Sequence, residues 1–341
     1  VKFMQYDNNF LGFNNFIWFN GVVEDRQDPQ KLGRVRVRCV GLHTQDKAIL
    51  PTADLPWSQV VLPTTSAGIS GLGQSPAFLV EGTWVFGYFR DGADCQEPMI
   101  LGTLPGVPAE LAAPSKGFYD PNGIYPKYKD ETDTNRLAVN GENPHLSLEL
   151  RKLSRITGVP TADFDLVPIT DHVATNIAAS DGDTWSQPEI PYNATYPYNH
   201  VYESESGHIK EFDDTKGSER IYEAHRVGTS YEIDKDGTKT DIIKGDHYTI
   251  TYGKSQASID GQSDITIGGR HKLYINKDGQ LNNHYDIQVG PNANINIQVD
   301  KGNLNVVVKD GQLNTNVGGD YNIKVDGNMN LDVRGDYKET I

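Results

Sequence analysis

The 341-residue chain carries 46 acidic and 31 basic residues, a net charge of -15, and its hydrophobic content is 37% with a mean hydropathy of -0.54. That acidity disfavours non-specific nucleic-acid binding and favours the solubility of a strand-rich chain; no apolar run approaches membrane-spanning helix length, and no secretory signal segment is visible. Low apolar content together with 34 glycines suits a thin body with much surface per residue better than one large globular core.

Residues 1–106 read as globular β-structure. Strand-like runs at Phe16–Val23, Arg34–Val40, Trp57–Leu62, Thr83–Phe89 and Met99–Leu104 are separated by turn signals, notably Asp28-Pro-Gln-Lys-Leu-Gly33 and Arg90-Asp-Gly-Ala-Asp94. Five short strands in about a hundred residues suit a small Greek-key barrel of the OB type. Val60–Val80, rich in Gly, Ser, Thr and Pro, reads as a long loop. Cys39 alternates with Val35 and Val37 and is expected to be a core thiol; with Cys95 as the second cysteine, no disulfide framework is implied, and assembly in a reducing cytoplasm is expected. Arg34, Arg36 and Arg38 share one strand face. A groove for single-stranded nucleic acid would need such a face. With 8 basic against 10 acidic residues in this segment, a solvated or protein-contacting face is expected instead.

Residues 107–200 differ in kind. Eleven of the 18 prolines lie between Pro105 and Pro197, and the one helical signal is around Leu146–Ile156. Such a stretch sustains neither ladders nor helices and runs extended. It reads as an ordered, irregular connector wrapping its neighbours rather than as a catalytic domain. In residues 201–242 the β-pattern resumes as a meander, with strands at His200–Phe212, Glu219–Val227 and Ser230–Ile233. Turns fall at Asp213-Asp-Thr-Lys-Gly217 and Asp234-Lys-Asp-Gly237.

Residues 243–341 repeat with a period of eight. Val317, Val325 and Val333 open successive units, with Gly319, Gly327 and Gly335 in third place. Upstream, Ile243, Thr251, Ile259 and Ile267 stand two residues before Gly245, Gly253, Gly261 and Gly269. Between Ile275 and Asn316 the register loosens: Pro291 occupies a glycine position, and the units opening at Val299 and Val308 each carry an extra residue before Gly302 and Gly311. Local bulges or a change of width are expected there. Apolar residues at odd positions make each unit a short strand, and the glycine marks a corner. A fixed short period means one supersecondary unit stacked many times. One chain could wind it into a three-sided β-helix. Three intertwined chains could also do so, each rising about 4.8 Å per octad, for a rod on the order of 55–60 Å.

Other chemistry is sparse. No Gly-rich phosphate loop links a strand to a helix, so no nucleotide site is expected, and no cofactor is assigned. No metal site is expected within one chain. His247 and His271 fall on the fifth octad position and, stacked in three copies, are candidates to ligate an axial ion; the ordinary alternative is a packed or water-bridged imidazole. Ser255 and Ser263 share that position, which suggests a wetter core in the early octads.

Several segments resemble one family. Asp28-Pro-Gln-Lys-Leu-Gly-Arg-Val-Arg-Val-Arg38, Asp54-Leu-Pro-Trp57 and Val80-Glu-Gly-Thr-Trp-Val-Phe-Gly-Tyr-Phe-Arg-Asp-Gly92 resemble the OB-fold of central spikes of contractile tails. Phe118-Tyr-Asp-Pro-Asn-Gly123 and Thr132-Asp-Thr-Asn-Arg-Leu-Ala138 are similar to linkers of the T4-like baseplate hub spike, and the run from Glu203 to Ile221 resembles the lead-in to the trimeric β-helix that type VI VgrG spikes share. The resemblance implies an all-β homotrimer: an N-terminal OB-fold barrel on a hub ring, an irregular Pro-rich connector, and a C-terminal intertwined triple-stranded β-helix pointing outward to puncture the host outer membrane. It thereby favours three chains over one. It implies a virion location at the tail baseplate, and the end at Ile341 leads to the expectation of a separate PAAR-like tip protein.

The T4-like member carries a lysozyme domain between barrel and needle, whose pattern is Glu, Asp nine residues on and Thr six further. Here Glu205/Asp214 and Glu232/Asp241 match the first spacing, but Arg220 and His247 stand where Thr is required, so no enzyme is expected. A wall hydrolase carried on a β-helical rod and a VgrG-like spike are the alternatives.

Overall fold

The computed structural model describes residues 9–10, 13–14, 17–74, 77–123, 125–126, 129–130, 132–139, 174–206, 208–225, 228–276, 279 and 284–340. The helical signal at Leu146–Ile156 lies outside them. By compactness the chain divides between Gly268 and Gly269.

In the first unit, a two-residue hairpin of β1 (Asn9–Phe10) and β2 (Phe13–Asn14) precedes the barrel. The barrel strands are β3 (Ile17–Asp25), β4 (Val35–Cys39), β5 (Trp57–Val60), β6 (Trp84–Phe89) and β7 (Pro98–Thr103). All five expected strands are present, with ends shifted by one or two residues. They close in the order β3-β4-β5-β7-β6, antiparallel throughout except for the parallel β5–β7 pair. This is OB connectivity, and closure removes the open sheet edges.

Alternation explains the core. Phe19, Val35, Val37, Cys39, Val85, Phe89 and Ile100 point inward and are buried, with Leu79 closing one end. Each such side chain contributes roughly 1.5–3 kcal/mol by burial. Two glycines let so small a barrel close. A Cβ on Gly21 would overlap Val37 and the Arg38 carbonyl, and one on Gly87, at the β6–β7 register shift, would overlap the Met99 carbonyl.

The connector is more ordered than its prolines suggest. It forms a small hairpin, β8 (Ile177–Ala178) with β9 (Thr184–Trp185), against the expectation that this stretch sustains no ladder. The Asp181–Gly182 turn, with Gly182 at φ 96°, supplies the reversal, and no proline falls within it.

The meander is a five-stranded antiparallel sheet in sequence order: β10 (Asn199–Glu203), β11 (Ile209–Asp213), β12 (Arg220–Ala224), β13 (Ser230–Ile233) and β14 (Lys239–Ile242). The run His200–Phe212, read as one strand, is two. The Ser204 hydroxyl accepts from the His208 N–H, and the chain reverses there so that Glu203 faces Ile209. β14 was not anticipated, because Lys239–Ile242 holds a single strongly apolar residue. One sheet face is covered by the connector: Leu137, Tyr192 and Ala194 pack with Ile209, Tyr222 and Ala224.

Beyond Ile242 none of the described residues belongs to a strand. Within the first unit the chain runs extended with bends at 244–245, 252–253 and 260–261, and at Gly268 it bends again. In the second unit strict bends recur at 318–319, 326–327 and 334–335. The eight-residue sequence period is therefore also a period of the backbone. Between them the bends widen to 300–302 and 309–311, with Gly302 at φ 124° and Gly311 at φ 131°. Glycines of the strict octads take no left-handed φ. The corner thus has two forms: the loosened units, at Gly279 (φ 66°), Gly302 and Gly311, draw on glycine's positive-φ freedom, and the strict octads do not.

Candidate functional site

The arginine stripe of β4 has a structural task. Arg38 is fully buried and meets the buried Glu24 carboxylate through Nε at 2.6 Å and Nη2 at 3.1 Å. It also donates to the carbonyls of Thr44 and Leu50, while the Thr52 hydroxyl donates to Glu24 at 2.7 Å. Arg36 lies 4.5 Å from the centre of the Trp57 ring and donates to the Thr52 carbonyl. Arg34 forks onto Asp28, whose carboxyl is held well below the usual range first by that guanidinium and then by backbone N–H donors. The expectation of a solvated or protein-contacting face is refined: the chain's own residues 44–55 hold Arg36 and Arg38, while Arg34 is held by Asp28. Alternation placed the three arginines on one face, but no periodicity shows which loop will cover them.

The exposed chemistry of the barrel is aromatic. Trp18 is 50% exposed and stacks on Phe86 at 4.8 Å and 6°, with Tyr88 edge-on at 5.9 Å. Leu101 on β7 is exposed on the same strand set, and Ile69 and Leu72 are exposed in the long loop before β6. Cys39 is buried, and burial pushes its thiol up to about 12.

A charged knot holds the meander. The Arg220 guanidinium reaches both Glu211 oxygens at 3.1 and 3.2 Å and Asp213 at 3.4 Å, all three side chains being fully buried. Arg220 lies over the Tyr192 ring at 4.8 Å, and Tyr192 and Asn199 both donate to the Leu137 carbonyl. Thus Arg220, which stands where a lysozyme pattern needs Thr, is a core cation. Its carboxylate neighbours Glu205 and Asp214 sit elsewhere. Glu205 takes a two-pronged bond from Arg26 of the barrel at 2.7 and 3.0 Å and one from the Tyr125 hydroxyl at 3.3 Å, while Asp214 lies 3.6 Å from His200. Glu232 pairs across the sheet with Thr240, and Asp241 takes Lys239. Neither carboxylate pair converges on a cleft.

Every described residue from 243 to 340 except Asn276 is exposed. This includes the octad positions Ile243, Gly245, Gly253, Ile259, Gly261, Ile267, Gly269, Val317, Gly319, Val325, Gly327, Val333 and Gly335. A Cβ added to any of these glycines would meet nothing of its own chain within 4 Å. Opening residues are the more sheltered: Val317, Val325 and Val333 are 44–48% exposed against 65–68% for Tyr321, Met329 and Leu331. The segment from Ile243 to Tyr252 departs from the pattern. Tyr248, Ile250 and Tyr252 sit at even positions, so its apolar face is opposite His247 and Thr249, a reversal the period-eight reading passed over. Within the first unit, the Thr266 hydroxyl donates to the Ala178 carbonyl at 2.7 Å, tying the β8–β9 hairpin to the array.

Residues 41–188 match the family described as the Gp5 N-terminal OB domain, a span that begins just after β4 and runs through the connector. Over 286 residues the chain is 39% identical to Protein Gp5 of Vibrio phage KVP40, covering 78% of this chain and 66% of that protein. Over 134 residues it is 48% identical to the pre-baseplate central spike protein Gp5 of Enterobacteria phage T4, covering 38% of this chain and 23% of that protein. The chain thus spans just under two thirds of one relative and about a quarter of the other.

Proposed function

This chain belongs to the T4-like family of baseplate central spikes, and on that premise we propose that it is the structural, cell-puncturing spike of a contractile phage tail. It stands at the tail baseplate as a homotrimer. The OB barrel docks on a hub ring, and the cluster of exposed Trp18 on half-buried Phe86 and Tyr88 is the surface best suited to that contact. Three octad arrays wind into a β-helix that carries a PAAR-like tip protein and passes transiently through the host outer membrane. The mechanism is mechanical: contraction drives a stiff rod whose strands have no free lateral edge.

The observation that carries this reading is the array itself. Its backbone bends recur at eight residues at both ends of the array, yet among the described residues beyond Ile242 none belongs to a strand and the apolar side chains stay exposed. Val, Ile and Leu at such positions would each contribute roughly 1.5–3 kcal/mol once buried, and backbone groups need ladder partners. Other copies supply both. Glycines whose own chain leaves room for a Cβ fit the same picture, because the close approach they permit comes from a neighbouring copy.

Native mass spectrometry and unheated SDS gels test this together. A species at three times 37.7 kDa that survives SDS until boiling is expected, since three wound chains unthread slowly. A monomer in both measurements sinks the trimer. Zymography on cell walls separates the structural role from a hydrolase, and no clearing is expected.

A further inference from the structure

Resting on the trimeric reading above, we propose that His271 forms an axial site for a divalent transition metal, one ion per trimer, inside the proximal part of the β-helix. Residues 270–275 run extended without a bend, so Gly269, His271, Leu273 and Ile275 share one face, while Arg270, Lys272 and Tyr274 share the other. The first face continues the odd-position aliphatic file from Ile267; the second is cationic and aromatic. Packing three copies about a threefold axis turns the aliphatic file inward, because the alternative buries two cations per chain without partners. His271 is then carried inward with it.

His247 is a weaker candidate on the same reasoning. Its own segment places Tyr248, Ile250 and Tyr252 on the opposite face, and its Nε2 lies 3.4 Å from the Thr249 hydroxyl. The apolar parity that turns His271 inward does not do so for His247.

Within one chain the described residues hold no group of three or more metal-binding side chains. Threefold symmetry supplies what one chain lacks. Three neutral imidazoles on an axis form a facial nitrogen set, with metal–nitrogen distances of about 2.0–2.1 Å and an open axial position.

The untagged full chain is stripped with chelator, its trimeric state is checked by native mass, and Co²⁺ alone is added. The expected result is one Co²⁺ per trimer with a ligand-field spectrum, lost in both His271→Ala and His271→Gln trimers and retained in His247→Ala. A wild-type trimer that binds no Co²⁺, or His271 variants that still bind it, overturns the site. A chain that is not trimeric refutes the underlying reading instead, so the two failures are distinct.

Discussion

Arg26 of the barrel and Glu205 of the β10–β11 turn, 179 residues apart in sequence, meet through both terminal guanidinium nitrogens at 2.7 and 3.0 Å. Glu81 shares the same guanidinium at 3.2 Å, the Tyr125 hydroxyl donates to Glu205, and Phe78 packs on Tyr202 beside them. Barrel, connector and meander are joined at this point. The proposed piercing role would require this joint to be stiff.

Acid should loosen this joint. The Arg26 hydrogen bond is the main reason that the Glu205 carboxyl is held below its ordinary 4.5. A depressed carboxylate contributes stability that is present above the unfolded value and is lost as pH falls through the folded one. The pair is partly exposed, so the effect is small, within ~1 kcal/mol. Protease cleavage in the connector should therefore quicken as pH drops below 4.5, and less steeply in Glu205→Gln. An unchanged pH profile in that variant argues against this joint.

Removing one partner of the buried barrel pair should cost far more. Arg38→Met leaves Glu24 charged, buried and unpaired, a loss of about 3–5 kcal/mol. The double change Arg38→Met with Glu24→Leu should recover much of it. Thermal melting of the three proteins gives the comparison; equal losses in the single and double variants would falsify the coupling.

The two thiols should differ in reactivity. Burial lifts Cys39 to about 12, so its thiolate is scarce at pH 8 and the side chain is screened as well. Cys95 is only partly buried, and its thiol is raised first by burial and then by Asp91 and Asp94. Maleimide at pH 8 should label Cys95 slowly and Cys39 only after denaturation. Prompt labelling at Cys39 in the folded protein contradicts the closed barrel core.

Octad glycines should divide into two classes. Gly311 sits at φ 131°, so Gly311→Ala strains the chain itself and should cost on the order of 1 kcal/mol or more. Gly327 has an ordinary φ and open space around it in one chain. Gly327→Leu should therefore leave a single chain undisturbed and damage only the assembly, which a loss of the SDS-resistant band would report. Retention of that band at wild-type level shows that no neighbouring chain approaches Gly327 closely.

Much of the fold was legible residue by residue. The alternation of Val35, Val37 and Cys39 gave both the strand and its buried face, and the octads gave the spacing of the backbone bends. Other features were not. The split at Ser204–His208 and the strand Lys239–Ile242 depend on turn chemistry and pairing partners that no hydrophobic period encodes. The reversed parity of Tyr248, Ile250 and Tyr252 is present in the sequence, but a period of eight does not express it.

By itself the sequence determined what short-range physics controls: strand faces through two-residue alternation, corners through glycine, and a repeat with a period of eight. Only the tertiary structure decided which distant groups satisfy one another. Arg38 could have been a basic groove until Glu24 and the carbonyls of Thr44 and Leu50 closed around it, and Arg220 could have been a surface charge until Glu211, Asp213 and Tyr192 did the same. The physical reason is that alternation selects a face, whereas burial of a charge requires partners, and those partners are brought together by the folded chain from far along the sequence.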